Sequence, residues 1–158
     1  MRRQDRQTGA EEALEILSSA PYAVVSAIDP EGRPYSTPVT PVLMNGAVYF
    51  HSAVEGGARS RTLDANPEVS LCFVARCDVL ASRYTIDYAS ALVRGRCTRV
   101  SDPGECKAAL AAVAQRYAPQ NDPAMTEQYI EAAREKVTVW KVSIEELSGK
   151  SRNPRKAA

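Results

Sequence analysis

The chain has 158 residues, 44% of them apolar, with 20 Lys and Arg against 19 Asp and Glu for a formal net charge of +1. That size fits one globular domain with a single core, not two. The near balance of charge removes the whole-protein field that draws nucleic acid or an anionic membrane, so any anion must be held by a local cluster.

From the amino end, Thr8 and Glu11 have capping-box spacing ahead of Ala13, Leu14, Ile16 and Leu17, which predicts a helix over 8–19 packed on the remainder of the fold. Tyr22 to Ile28 is a valine-rich strand, closed by the turn Asp29-Pro30-Glu31-Gly32. The chain returns as one strand over Tyr35–Met44, where Pro38 and Pro41 cannot donate to a ladder and so predict an edge or an interruption. Asn45-Gly46 is a type I′ hairpin signal, leading into a strand over Ala47–Ser52.

Beyond it, EGGARSRTLDAN passes from glycine-rich loop to short helix, and Val69–Val74 reads as a buried strand. A longer strand is expected over Ala89–Val100, with Gly95 as a bulge or bend. Asp102-Pro103 and Asp122-Pro123 each place an aspartate cap before a proline at the first helical position, predicting two helices in succession. Val137–Val142 supplies a sixth strand, and SGKSRNPRKAA reads as a frayed basic end. The fold class is therefore mainly β, a six-stranded antiparallel barrel with peripheral helices, as one domain over 1–150 followed by a basic tail over 151–158.

Several chemistries are closed by what the chain lacks. No apolar run approaches the ~20 residues needed to cross a bilayer. Acidic residues also interrupt the amino-terminal segment where a secretory signal needs apolar ones, which points to the cytoplasm. Cys72, Cys77, Cys97 and Cys106 form no C-x-x-C pair and read as reduced thiols. With one histidine, His51, a multi-histidine zinc site is excluded and no metal site is expected. There is no G-x-S-x-G elbow, and neither of the glycine-rich nucleotide loops G-x-x-x-x-G-K-[ST] and G-x-G-x-x-G.

The densest polar constellation runs from His51 to Arg61, joining a strand end to a helix start. Its glycines allow close backbone approach, the helix start directs N–H groups outward, and Arg59 and Arg61 offer charge-assisted bonds, which together make an anion site. A solvated loop with surface arginines is the alternative. If Val48 and Phe50 face the core, His51 points the other way, either toward that site or simply to the surface.

In order along the chain, the segments Arg3-Gln4-Asp5-Arg6, Phe50-His51, Gly57-Ala58-Arg59, Asn66-Pro67-Glu68-Val69, Tyr84–Gly95 and Gly149-Lys150-Ser151-Arg152 resemble the pyridoxamine-phosphate-oxidase-like split barrels, and among them the nitroimidazole-resistance (Nim) proteins. The resemblance implies an FMN-binding split barrel working as a homodimer. Ser36, Thr37 and Pro38 would then lie along the flavin ring, and His51, Ser52 and Ala53 would line the ring and ribityl chain. Arg59 and Ser60, assisted by Arg61, would hold the phosphate, with Tyr88, Ser90 and Trp140 as contacts from the partner chain. The loop is one residue longer than the close Nim pattern at Gly56-Gly57, so the register of Arg59 with the family's basic residue can slip by one.

The activity this implies is an FMN oxidoreductase. A reduced nicotinamide or another reductant would reduce it, a small planar electrophile such as a nitro compound would be its substrate, and His51 would donate a proton or orient the substrate. A flavin-, deazaflavin- or haem-binding barrel without turnover is the alternative, as is a dimeric interaction protein with an empty cleft. Taken without the resemblance, Trp140 in a strand reads as core, Tyr88 and Ser90 as packing at a seam, and Lys150 and Arg152 as part of a loose tail.

Overall fold

The computed structural model describes residues 4–54 and 56–152. Seven strands form one antiparallel sheet: β1 (Ala23–Ile28), β2 (Pro34–Val39), β3 (Val42–Met44), β4 (Ala47–Ala53), β5 (Glu68–Leu80), β6 (Thr85–Arg99) and β7 (Val137–Arg152). Their order across the sheet is β2-β1-β5-β6-β7-β4-β3. Among the described residues four α-helices accompany them: α1 (Ala10–Ser19), α2 (Ala58–Ala65), α3 (Pro103–Tyr117) and α4 (Pro123–Ala133). None is long and apolar enough to cross a membrane.

The expected single strand over Tyr35–Met44 is two strands, which corrects the count from six to seven. Thr40 and Pro41 alone separate Val39, the end of β2, from Val42, the start of β3. Those two strands are the opposite edges of the sheet. Three residue steps span at most ~11 Å, whereas the edges of a flat seven-stranded sheet would stand roughly 29 Å apart. The sheet must therefore curl until its edges nearly meet. Because β2 and β3 share no ladder among the described residues, the cylinder stays split along that seam.

The alternation of the strands fills the cylinder. Val25, Val48, Phe50, Leu71, Phe73, Val93, Trp140 and Val142 point inward and are fully buried. Ile16 and Leu17 of α1 and Leu63 of α2 join the same cluster. A second, smaller cluster lies on the outer side of β3, β4 and β7, where Val42, Tyr49 and Val139 meet Ala109 of α3.

Local chemistry explains most boundaries. Asn45 and Gly46 take φ of 50° and 75°, the conformation a type I′ turn demands. Asp29 Oδ1 accepts from the backbone N–H groups of Glu31 and Arg33, closing the turn whose last residue, Gly32, has φ of 80°. Asp102 and Asp122 cap α3 and α4 through the N–H groups of Glu105 and Met125 at 2.6 and 3.0 Å. The predicted Thr8 capping box does not form: Gly9 is the N-cap of α1, and the Thr8 N–H instead donates to the Gly149 carbonyl at 3.1 Å.

The register shifts between Arg94 and Gly95, as the glycine predicted, and a Cβ there would stand 1.7 Å from the Ser143 carbonyl oxygen. The carboxy-terminal expectation needs correcting. β7 continues through Arg152, so Ser148–Arg152 are paired with β6 rather than frayed, and of this end 153–158 lie outside the described residues.

Candidate functional site

α2 begins directly at the seam. Its N-cap is Gly57, which provides no side chain to occupy the first-turn N–H groups, and the first turn holds no acidic residue. The helix is held from both sides. Leu63 is buried in the barrel, and Asp64 takes a bidentate pair from Arg99 of β6, with Nε and Nη2 each at 2.7 Å. The Arg99 guanidinium in turn lies 4.9 Å from the centroid of Trp140.

This fixed helix presents Arg59 across the seam. Nη1 donates to the His51 carbonyl on β4 and Nη2 to Thr37 Oγ1 on β2, both at 3.4 Å. Arg59 Nε and His51 Nδ1 are buried with no hydrogen-bond partner among the described residues. Arg59 Nε, an orphan beside an uncapped helix start, fits an anion such as a flavin phosphate, whereas the His51 ring joins Arg59 only through its backbone and itself borders the space beside α3. Burial, and then the positive charge of Arg59, push the His51 imidazole below its ordinary value of 6.5, so it is neutral at pH 7.

Three of the residues singled out in the sequence, Thr37, His51 and Arg59, thus meet. Others are placed differently. Ser60 is 2% exposed, which leaves only its first-turn backbone N–H to address an anion. Arg61 is exposed and reaches back to the Gly56 carbonyl at 3.5 Å. Ser52 faces the barrel interior, where its hydroxyl accepts from Trp140 Nε1 at 2.9 Å. Trp140 itself is 1% exposed, so it has no surface to offer a partner chain, and the core reading replaces the contact role.

Ala53 ends β4 in an exposed position opposite Val137. Ser36 and Pro38 lie on the outer face of edge strand β2, alternating with inward Thr37, and Ser36 Oγ lies 2.9 Å from Ser26 Oγ. Ser90 is three strands from Thr37 and three residues off its row, roughly 17 Å at standard sheet spacings, and Tyr88 is farther still. Neither reaches Arg59 within one chain.

The motifs at the chain ends also meet. Gln7 bridges to Lys150, Arg6 Nη1 donates to the Tyr88 hydroxyl at 3.3 Å, and Lys150 Nζ lies 5.6 Å from the Tyr88 ring centroid. Arg3 lies outside the described residues, as does Glu55 of the glycine loop.

Sequence reasoning missed the Asp64–Arg99 pair that steadies α2. Its partners are 35 residues apart and carry no local signal. All four cysteines are free thiols, and burial, with the Asp64 charge behind it, pushes Cys97 up to about 12, too high to furnish a thiolate.

A family model described as pyridoxamine 5'-phosphate oxidase matches residues 9–151. The chain belongs to the pyridoxamine 5'-phosphate oxidase family. No curated protein matches it significantly. Among solved structures, it is similar to a candidate 5-nitroimidazole antibiotic resistance protein of Bacteroides thetaiotaomicron, with 27% identity, 90% of this chain and 83% of that chain covered, and a TM-score of 0.76.

The fold is also that of the flavocytochrome Anf3 of Azotobacter vinelandii, with 20% identity, coverage of 100% and 74%, and a TM-score of 0.75. A FAD- and haem-binding protein of Mycobacterium smegmatis shares it too, at 16% identity, 97% and 76% coverage, and a TM-score of 0.73.

Proposed function

We propose that this chain binds FMN at the Arg59–His51–Thr37 cluster of a two-fold homodimer and acts in the cytoplasm as an FMN-dependent oxidoreductase that reduces a small planar electrophile such as a nitro compound. The observation that carries the reading is Arg59, clamped across the seam at an uncapped helix start beside a neutral histidine. FMN, when bound, supplies the redox chemistry, with a reduced nicotinamide as electron source. Arg59 and the first-turn N–H groups of α2 hold the phosphate, and the free edge of β2 at Ser36–Pro38 offers backbone groups to the ring's polar rim. His51, neutral at pH 7, orients the electrophile by a hydrogen bond and relays protons beside it. The likeness to a nitroimidazole-resistance candidate supports this substrate class.

The outer face of β2, β1, β5 and β6 supports the dimer. Pro38, Val24, Cys72 and Leu92 form one row across it and Ser36, Ser26, Ser70 and Arg94 the next, and among the described residues no helix packs on either. A bare face of small, mostly uncharged side chains suits an isologous contact. Ser90 and Tyr88 continue that face, so a two-fold mate brings them toward the cluster they cannot reach alone.

The test is an anaerobic titration. FMN should bind and be bleached by NADPH, and a nitroimidazole should restore the oxidised spectrum; protein that leaves free FMN unchanged would overturn the reading. A haem reading has one observation in its favour, the sole histidine over an apolar groove, and a Soret band on haemin addition without FMN binding would replace the flavin assignment with it.

A further inference from the structure

On its outward side His51 forms part of the wall of a groove that the FMN assignment does not use. α4 makes its main contacts with α3 and the turn that follows it, and so stands off from the barrel. The space left between α3, α4 and the adjoining ends of β4 and β7 has a volume of about 490 Å³. Its walls are mostly apolar: Leu110 and Val113 from α3, Met125, Tyr129 and Ile130 from α4, and Val137 at the start of β7. Asn121, Asp122 and Thr126 give the groove a polar patch, and His51 adds an imidazole.

Two features separate this groove from an ordinary seam between helices. Met125 and Tyr129 are 70% and 75% exposed although both border the groove, so a thioether and an aromatic ring stand unpacked at its rim. Further, Asp122 is the only charged residue lining it among the described residues, and its Oδ1 already accepts from the Met125 N–H. An anionic guest would lose hydration and meet only the like charge of Asp122, and a cationic one would find only an exposed carboxylate already engaged as the helix cap. A flat, uncharged guest loses little, gains contact with Met and Tyr, and finds a polar partner in His51 besides the patch at Asn121, Asp122 and Thr126. The volume falls within the ~300–1,000 Å³ of small-molecule sites.

We infer that the groove between α3 and α4 is a binding pocket for an uncharged one- or two-ring aromatic molecule carrying a single hydrogen-bonding substituent, which is met by His51. This names the substrate class of the proposed enzyme and rests on His51 being shared between groove and seam cluster. Arg59 touches the His51 backbone on the seam side, so a guest on the groove side lies next to the flavin position without competing for the phosphate contacts.

The single histidine makes the test direct, because every imidazole signal in an NMR spectrum belongs to His51. Titration of the full chain with 2-naphthol, with and without FMN, should give a saturable shift of those signals. The anion 2-naphthoate should bind at least about tenfold more weakly. Ala133→Trp, which fills the groove from the last turn of α4, should abolish the naphthol shift while FMN affinity is kept. Tyr129→Ala, on an exposed side chain, should weaken naphthol about two- to tenfold, the range of one aromatic contact.

Absence of a saturable shift in the native chain, or undiminished naphthol binding in folded Ala133→Trp, would overturn the inference. Should Ala133→Trp not fold, unchanged affinity in Tyr129→Ala would do the same. Naphthol binding in a chain that refuses FMN would instead remove the flavin assignment and leave the pocket standing.

Discussion

Arg59 Nη1 donates to the carbonyl oxygen of His51 at 3.4 Å, tying the helix that starts at the seam to the strand that forms one side of it. At that length, and with Nε unpartnered, the guanidinium is placed but not saturated. Replacing it with alanine should therefore cost affinity more than stability. The expectation for Arg59→Ala is a loss of about 10–100-fold in FMN binding, as for a charged hydrogen bond, read by quenching of flavin fluorescence. Arg59→Lys should fall between. Equal affinity in all three chains would remove the phosphate role.

Arg59 also bears on the titration of His51, behind burial. Burial, then the neighbouring Arg59 charge, hold the folded imidazole below 6.5. The unfolded chain consequently binds a proton first as pH falls, so this contribution to stability is fully present above about 6.5 and lost on falling through the lower folded value. NMR titration should place the His51 midpoint below 6.5, and Arg59→Ala should raise it by removing the like charge. Urea midpoints at pH 7.5 and 5.5 should differ less in His51→Gln than in the native chain. A midpoint at or above 6.5 would contradict the burial argument.

Leu92 ends one row of the bare face of the sheet, on β6 beside Ser90, and is 45% exposed. Leu92→Arg should leave the monomer folded, since the position points away from the core, yet separate the dimer by placing like charges across the two-fold axis. Light scattering at micromolar concentration should show a monomer, with FMN affinity reduced in step. A dimer that persists would locate the interface elsewhere.

Gly95 has no room for a methyl group, because Ser143 backbone atoms stand 1.7 and 2.9 Å from where its Cβ would be. Gly95→Ala should destabilise the chain by about 3 kcal/mol through forced separation of β6 from β7, measured as a shifted urea midpoint. An unchanged midpoint would mean that the bulge can relocate.

Much of this architecture is legible in short stretches of sequence where one side chain decides one backbone conformation. Asn45-Gly46, Asp29 to Gly32, and the two Asp-Pro helix starts are of this kind, and the glycine at 95 announced its bulge. The fate of Tyr35–Met44 was not legible, because the prolines announce an interruption but cannot tell that the two halves belong to opposite edges of a curled sheet.

Strand lengths were underestimated where polar residues are paired. Cys77–Leu80 pair with Thr85–Tyr88 across a short hairpin and Ser148–Arg152 with Tyr88–Leu92 far along the chain, in both cases with no apolar run to reveal it. At the site, the strand parity that sent His51 away from Phe50 held, and the proximity of Arg59 followed from the short loop between them. Trp140 shows the limit of analogy. It is 1% exposed in the core cluster, as an aromatic side chain in a strand is read without the resemblance.

The tether at Thr40-Pro41 has one more effect. Tyr117 donates its hydroxyl to the Pro41 carbonyl at 2.9 Å, so the last residue of α3 holds the crossing point in place. β3 is three residues long and lies against α3, while β2 carries Pro34 and Pro38 along its length. Neither margin presents the long, flat row of unpaired amides on which a foreign strand could template itself, so the curl that builds the cleft also guards the chain against growth into fibrils.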